Sequence, residues 1–398
     1  MKFHALALAA LVVSTLVLSA CSTGNNAVAS SGGVGVLYVV AQGNTTISAY
    51  SVNLSSGALG VVGSGLATGP VPFGLAITPA VNELFISNNG ANNLSSYVIN
   101  SDGSLTAVSG TTATGTSPMG MAIDPAGKFL LVANQGTFQN PKSGTISVFS
   151  IQATSLQAVT GSPFATETPG ELTGSGPVSV VVSASGNYVY AANQFSNTVA
   201  AFAMNTTTGA LTPLGASPYT VGTSPSGVAI SPNGGFLYVA NTGSDNVSAF
   251  AICDTIVISC ANVNSPDGTL TPVTGSPFSA GGGPVTIAFD PAFDFAYVVD
   301  EQSNQVSQYS FGSTNGVLTP LSPPAISTGT TPVSIAIRSG ATGTNIGNTL
   351  TNPTDFVYVA NNGASTLSVF TLNTTTGLLN ILGTPFTTFG NPSALAAR

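Results

Sequence analysis

One short pattern recurs seven times along this chain: an apolar run closed by a polar residue, a small-residue turn, and a second run that ends in an aromatic residue. Its clearest copy is Leu237-Tyr238-Val239-Ala240-Asn241-Thr242-Gly243-Ser244-Asp245-Asn246-Val247-Ser248-Ala249-Phe250. On one register the copies begin at Leu37, Leu84, Leu130, Val189, Leu237, Ala296 and Val357. Two alternating apolar runs joined by a short polar turn make a β-hairpin. The residue closing the first strand is Asn88, Asn134, Asn193, Asn241 and Asn361, with Ala41 and Asp300 in its place in the other two copies. Self-similarity at about 46 to 61 residues marks a repeat architecture, in which each unit buries its faces only against its neighbours.

Two further elements flank each hairpin. Before every copy but the first stands a short apolar run led by proline, as in Pro72-Phe73-Gly74-Leu75-Ala76-Ile77 and Pro332-Val333-Ser334-Ile335-Ala336-Ile337. Proline suits the first residue of a strand, where no ladder donor is lost. Small residues at the third and fifth places let such strands crowd round an axis. After each hairpin comes a turn into a fourth strand, as in Gly57-Ala58-Leu59, Gly209-Ala210-Leu211-Thr212 and Gly377-Leu378-Leu379. Four antiparallel strands repeated radially form an all-β propeller. The first hairpin lacks a proline-led strand ahead of it, and the last such strand, Pro392-Ser393-Ala394-Leu395-Ala396, has no hairpin behind it. The C-terminal strand is therefore expected to join the N-terminal blade, giving seven four-stranded blades over residues 37–398 and a ring without exposed edges.

Reversal of direction at each turn assigns the faces. The hairpin turns that follow the asparagines and the loops into the next blade share one side, the asparagine face. Longer loops, at Thr137 to Gly144 and Ala165 to Gly176, lie on that side. Those at Asp254 to Pro266 and Ser339 to Thr354 lie on the opposite one. Asparagine accepts turn geometry and bonds nearby backbone, so the repeated asparagines read as turn formers. The repeated tyrosines and phenylalanines read as blade-to-blade packing.

Charge narrows the partners. Only 5 % of residues are charged, and five Lys and Arg against thirteen Asp and Glu give a net charge of -8, which excludes neutralising a row of phosphates on nucleic acid. The first 21 residues form a targeting segment, with Lys2 followed by an apolar stretch from Ala5 to Leu18. Leu18-Ser19-Ala20-Cys21 is similar to the bacterial lipobox, which implies cleavage before Cys21 and lipidation of its thiol; an ordinary secretory signal is the alternative. Residues 22–36, rich in Ser, Gly and Asn, read as a flexible tether. Either way the mature protein is expected outside the cytoplasm, where Cys253 and Cys260 would close a small disulfide loop; free thiols are the alternative.

The Leu-Tyr-Val-Ala-Asn repeats, with their proline-led strands and Gly-x-Leu-Thr turns, resemble the YVTN-type and lactonase-type seven-bladed propellers, among them bacterial 6-phosphogluconolactonases and fungal carboxymuconate lactonising enzymes. The resemblance covers residues 37–398. It implies a lactone-opening or lactone-closing enzyme with its site on one face near the axis. Such chemistry needs an acid or base close to a carbonyl, and an anionic substrate needs cations. The only histidine is His4, and the mature chain's basic side chains are Lys128, Lys142, Arg338 and Arg398, so no catalytic residue is carried over. The candidate ligand-binding residues on the asparagine face are Lys142, Glu167, Glu171, Asp245, Asp300 and Glu301. Their carboxylates are read either as converging on Ca²⁺ or a glycan or as solvated loop charges. No protein metal site is expected from histidine or cysteine. The function expected from the residues is a lipid-anchored, non-catalytic binding or scaffold propeller at the cell envelope, with an envelope protein or polysaccharide as partner. A lactonase with an unrecognised site is the alternative.

Overall fold

The computed structural model describes residues 35–397 apart from 81, 138–139, 141–142, 154, 167–174, 255–266, 291–294 and 339–354. Its strands form seven antiparallel sheets. Blade 2 shows the plan: Pro72–Ile77 is innermost, followed outward by Glu83–Asn88, Asn93–Ile99, and an outer strand in two pieces, Leu105–Ala107 and Thr112–Ala113. Blades 3 to 7 occupy residues 118–165, 177–220, 225–279, 284–327 and 332–387. Blade 1 is built from both ends of the chain. Its innermost strand is Pro392–Ala397, antiparallel to Gly35–Ala41 with Leu37 opposite Ala397 and Val39 opposite Leu395. The tail thus completes the head, as the flanking elements required.

Each sheet packs on both faces, so its strands read as near-continuous apolar runs rather than as a clean alternation. The second strands of blades 3, 4 and 5 are buried at every position. Seven separate cores result, one between each pair of neighbouring blades. Tyr238 and Ala249 meet Phe289 and Val298 between blades 5 and 6, while Leu37, Val39 and Tyr50 meet Phe356, Tyr358 and Leu367 between blades 1 and 7. The closing interface therefore has the same construction as the other six.

The outer strand takes two forms. In blades 2, 3, 4, 5 and 7 it comes in two pieces that both run along the third strand. In blades 1 and 6 it is continuous, Leu59–Ala67 and Leu318–Ser327, with a register shift. In blades 3 to 5 the break falls at a Ser-Pro pair, and proline has no N–H to give the ladder. At the break the serine hydroxyl stands in for a ladder acceptor: the N–H groups of Val148, Ala201 and Ala249 donate to Oγ of Ser162, Ser217 and Ser276 at 2.9, 2.8 and 2.8 Å.

Candidate functional site

The inner strands converge until backbone nearly touches backbone. A Cβ on Gly74 would stand 2.5 Å from the Met119 carbonyl oxygen, and one on Gly227 would stand 2.5 Å from that of Val285. Glycine at these third positions is what lets neighbouring strands close on the axis. One residue earlier, toward the asparagine face, the axis widens into a cavity of about 280 Å³. Every blade contributes the second residue of its inner strand to the wall: Phe73, Met119, Val178, Ser226, Val285, Val333 and Ser393. Above them stand Gln42, Gln194, Glu301 and Asn362, each the residue directly after the position that closes a second strand.

Strand alternation separates those two neighbours. The closing asparagine turns inward and is buried. Asn88 Nδ2 donates to Asn93 Oδ1 and Ser95 Oγ at 2.8 and 2.9 Å, and its Oδ1 accepts the Gly69 N–H at 2.9 Å. Asn361 repeats this with Thr366, Ser368 and Gly329 at 3.1, 3.0 and 3.1 Å. The asparagines thus hold the hairpin and the incoming loop together, as turn formers should. The next residue turns to the axis and reaches the following blade: Asn89, Thr242 and Asn362 donate to the carbonyls of Pro118, Pro284 and Pro392 at 3.3, 2.8 and 3.1 Å.

Blade 6 carries acids at both places. Asp300 takes the buried position of the asparagine and is fully shielded from solvent. Its Oδ2 accepts from Ser307 Oγ at 2.6 Å and Gln305 Nε2 at 3.4 Å, and its Oδ1 has no hydrogen-bond partner among the described residues. Burial pushes its carboxyl up to about 6, against the opposing pull of those hydrogen bonds. Glu301 takes the axial position, half-buried, and burial raises its pKa as well. It is the one charged group among the described residues that line the cavity. A carboxylate held less acidic than usual is a better proton acceptor near neutral pH. Around it the Gln42 amide lines the same cavity, and Gln194, whose Oε1 accepts from Gln135 Nε2 at 2.8 Å, has no acceptor for its own Nε2 among the described residues.

Asp245 lies in the exposed hairpin turn of blade 5, in left-handed backbone at φ 52°. Its Oδ1 accepts the Gly283 N–H at 2.8 Å. Asn92, Asn197 and Asn304 do the same for Ser117, Ser224 and Thr331 at 2.8, 2.7 and 2.7 Å, which places Asp245 in a blade-to-blade tie. Asp245, Asp300 and Glu301 are not brought together: one is in a turn, one faces a blade interior and one faces the axis. No group of three or more His, Cys, Asp or Glu able to hold a metal ion, Ca²⁺ included, occurs among the described residues. Lys142, Glu167, Glu171, Cys21 and Cys260 lie outside the described residues. Cys253 is disulfide-bonded.

The second residues of the inner strands, and Gln42, Gln194 and Asn362, escaped notice in the sequence. A signal was present, since the residue after each closing position is polar in all seven copies: Gln42, Asn89, Gln135, Gln194, Thr242, Glu301 and Asn362. Such uniformity directly beside a buried position points to a ring of side chains about the axis.

Comparison with known proteins follows the same geometry. The family model described as "Lactonase, 7-bladed beta-propeller" matches residues 71–159, 140–257 and 253–396. No curated protein matches the chain at a significant level. Among solved structures, the periplasmic gluconolactonase PpgL of Pseudomonas aeruginosa is similar with a TM-score of 0.73 and 20 % identity, covering 92 % of this chain and 99 % of that one. A candidate 6-phosphogluconolactonase of Bacteroides uniformis is similar with a TM-score of 0.71 and 20 % identity, again over 92 % and 99 % of the two chains. At these identities the likeness is one of fold.

Proposed function

The chain belongs to the lactonase family of seven-bladed β-propellers, and on that premise we propose that it opens a lactone ring in the axial cavity, with Glu301 as general base. The observation that carries the reading is the Glu301 carboxylate itself, standing among amides and apolar side chains with its basicity raised by burial. Glu301 takes a proton from water as the water oxygen bonds to the lactone carbonyl carbon. The amide N–H groups of Gln42 and Gln194 are the available donors for the oxygen that becomes negative. When the ring C–O bond breaks, Glu301 returns the proton to the leaving alkoxide, and the product is a hydroxy acid.

Family membership moves this reading ahead of the non-catalytic scaffold expected from the residues alone. No cation lines the cavity among the described residues, so an uncharged lactone fits better than a phosphorylated one. The lipobox ending at Cys21 supports an extracytoplasmic lipoprotein, in keeping with the periplasmic gluconolactonase it resembles in fold. One observation favours a second reading, in which the cavity holds a ligand without cleaving it: among the described residues that line it, Glu301 has no charged partner to divide acid and base roles with. Acid release by residues 22–398 with a panel of lactones, followed in a pH-stat, separates the two. Turnover above the spontaneous rate supports hydrolysis; binding without acid release supports the second reading.

A further inference from the structure

We infer that the substrate of the axial cavity is a small uncharged lactone carrying an apolar substituent, rather than a polyhydroxylated sugar lactone. This rests on the hydrolase reading above and concerns which lactone that site accepts. Phe73, Met119, Val178, Val285 and Val333 bring apolar surface to the axis from five of the seven blades. Three of the six polar side chains at the wall already donate to protein carbonyls. Ser226 Oγ donates to the Val285 carbonyl at 3.0 Å, Ser393 Oγ to that of Pro72 at 3.1 Å, and Asn362 Nδ2 to that of Pro392 at 3.1 Å.

Among the described residues, what stays open to a ligand is the Glu301 carboxylate, the Gln42 amide, Gln194 Nε2 and Asn362 Oδ1. That set serves one ester group and its attacking water. It does not serve a ring of hydroxyls, each both donor and acceptor, and leaving such groups unpaired against apolar walls is costly. The cavity, about 280 Å³, falls just below the usual range of ligand pockets, about 300 to 1,000 Å³. It therefore suits a five- or six-membered lactone with a short alkyl or aryl arm lying on Phe73, Met119 and Val178.

The test compares three lactones on purified residues 22–398: a δ-lactone with a short alkyl chain, glucono-δ-lactone and its 6-phosphate. Binding of the matching alkyl δ-lactam, which resists hydrolysis, is measured by calorimetry. The alkyl lactone is expected to show kcat/KM about tenfold or more above glucono-δ-lactone, as discrimination by a few methylene contacts allows. Val178→Thr, close in shape, and Met119→Ser should each shrink that ratio. A preference for glucono-δ-lactone or its 6-phosphate overturns the inference while the hydrolase reading stands. Lactam binding with no lactone turned over sustains the ligand class and removes the hydrolase reading. Neither binding nor turnover overturns both, and an unchanged ratio in both variants overturns the assignment of the apolar wall.

Discussion

The Tyr358 hydroxyl donates to the carbonyl of Gly57 at 3.0 Å, across 301 positions of sequence. It ties the last blade to the first by the same bond that joins interior neighbours: Tyr190 to Gly268 at 2.8 Å, Tyr238 to Gly316 at 2.7 Å and Tyr297 to Gly377 at 2.8 Å. The glycines accept this contact because they hold positive φ, +70° at Gly57, beneath an aromatic ring of the preceding blade, where a Cβ would meet Phe356 at 2.5 Å. The Tyr in the recurring motif and the turn Gly of the next blade are thus two halves of one joint.

Removing the hydroxyl should cost alike at the seam and within the ring. Tyr358→Phe and Tyr238→Phe each strand a buried carbonyl and are expected to lower stability by about 1–2 kcal/mol in guanidinium unfolding. A loss at Tyr238 with none at Tyr358 would mean that the seam is open in solution.

Deletion of residues 392–398 tests the seam more severely. It strips the innermost strand from blade 1 and exposes Val39 and Tyr38 together with an unpaired strand edge. The thermal midpoint should fall by well over about 10 °C, or folding should fail. An unchanged midpoint contradicts the pairing of Pro392–Ala397 with Gly35–Ala41.

Asp300 should make stability depend on pH. Its folded-state value of about 6 lies above the ordinary aspartate value near 3.9, so the folded chain binds the extra proton between them. Stability therefore falls as pH rises from about 4 to about 6 and stays lowered above that. Asp300→Asn supplies the amide found in five other blades. It is expected to stabilise the protein by about 1–3 kcal/mol at pH 7.5 and to give no gain at pH 4. Denaturant unfolding at the two pH values checks this, and equal gains at both would show that Asp300 does not titrate in this range.

Much of this was legible in the sequence because the repeat is internally redundant. Leu237 to Phe250 and its six copies define the hairpin, and the unmatched elements at Leu37 and Pro392 define the closure. The site was legible only in part. Asp300 and Glu301 are adjacent in sequence and equally acidic, yet one step along a strand sends the first into a blade and the second to the axis. Composition cannot separate them, and only the register does. Asp245 looked like a ligand because of its charge, whereas its geometry repeats that of Asn92, Asn197 and Asn304. In blades 3 to 5 the outer strand breaks at Ser-Pro pairs such as Ser217-Pro218, whose role appears once the third strand's N–H groups are followed to their acceptors.

Glu301 bears the weight of the functional reading, and one substitution isolates it. Glu301→Gln keeps the shape and polarity of the cavity wall and removes the proton acceptor. The wild-type chain should hydrolyse its lactone with kcat/KM that rises with pH through a midpoint above the ordinary glutamate value. The variant should fold with an unchanged thermal midpoint and lose about 10²–10⁴ of kcat. A folded Glu301→Gln protein that opens the lactone at the wild-type rate would contradict the assignment of the axial cavity as the catalytic centre.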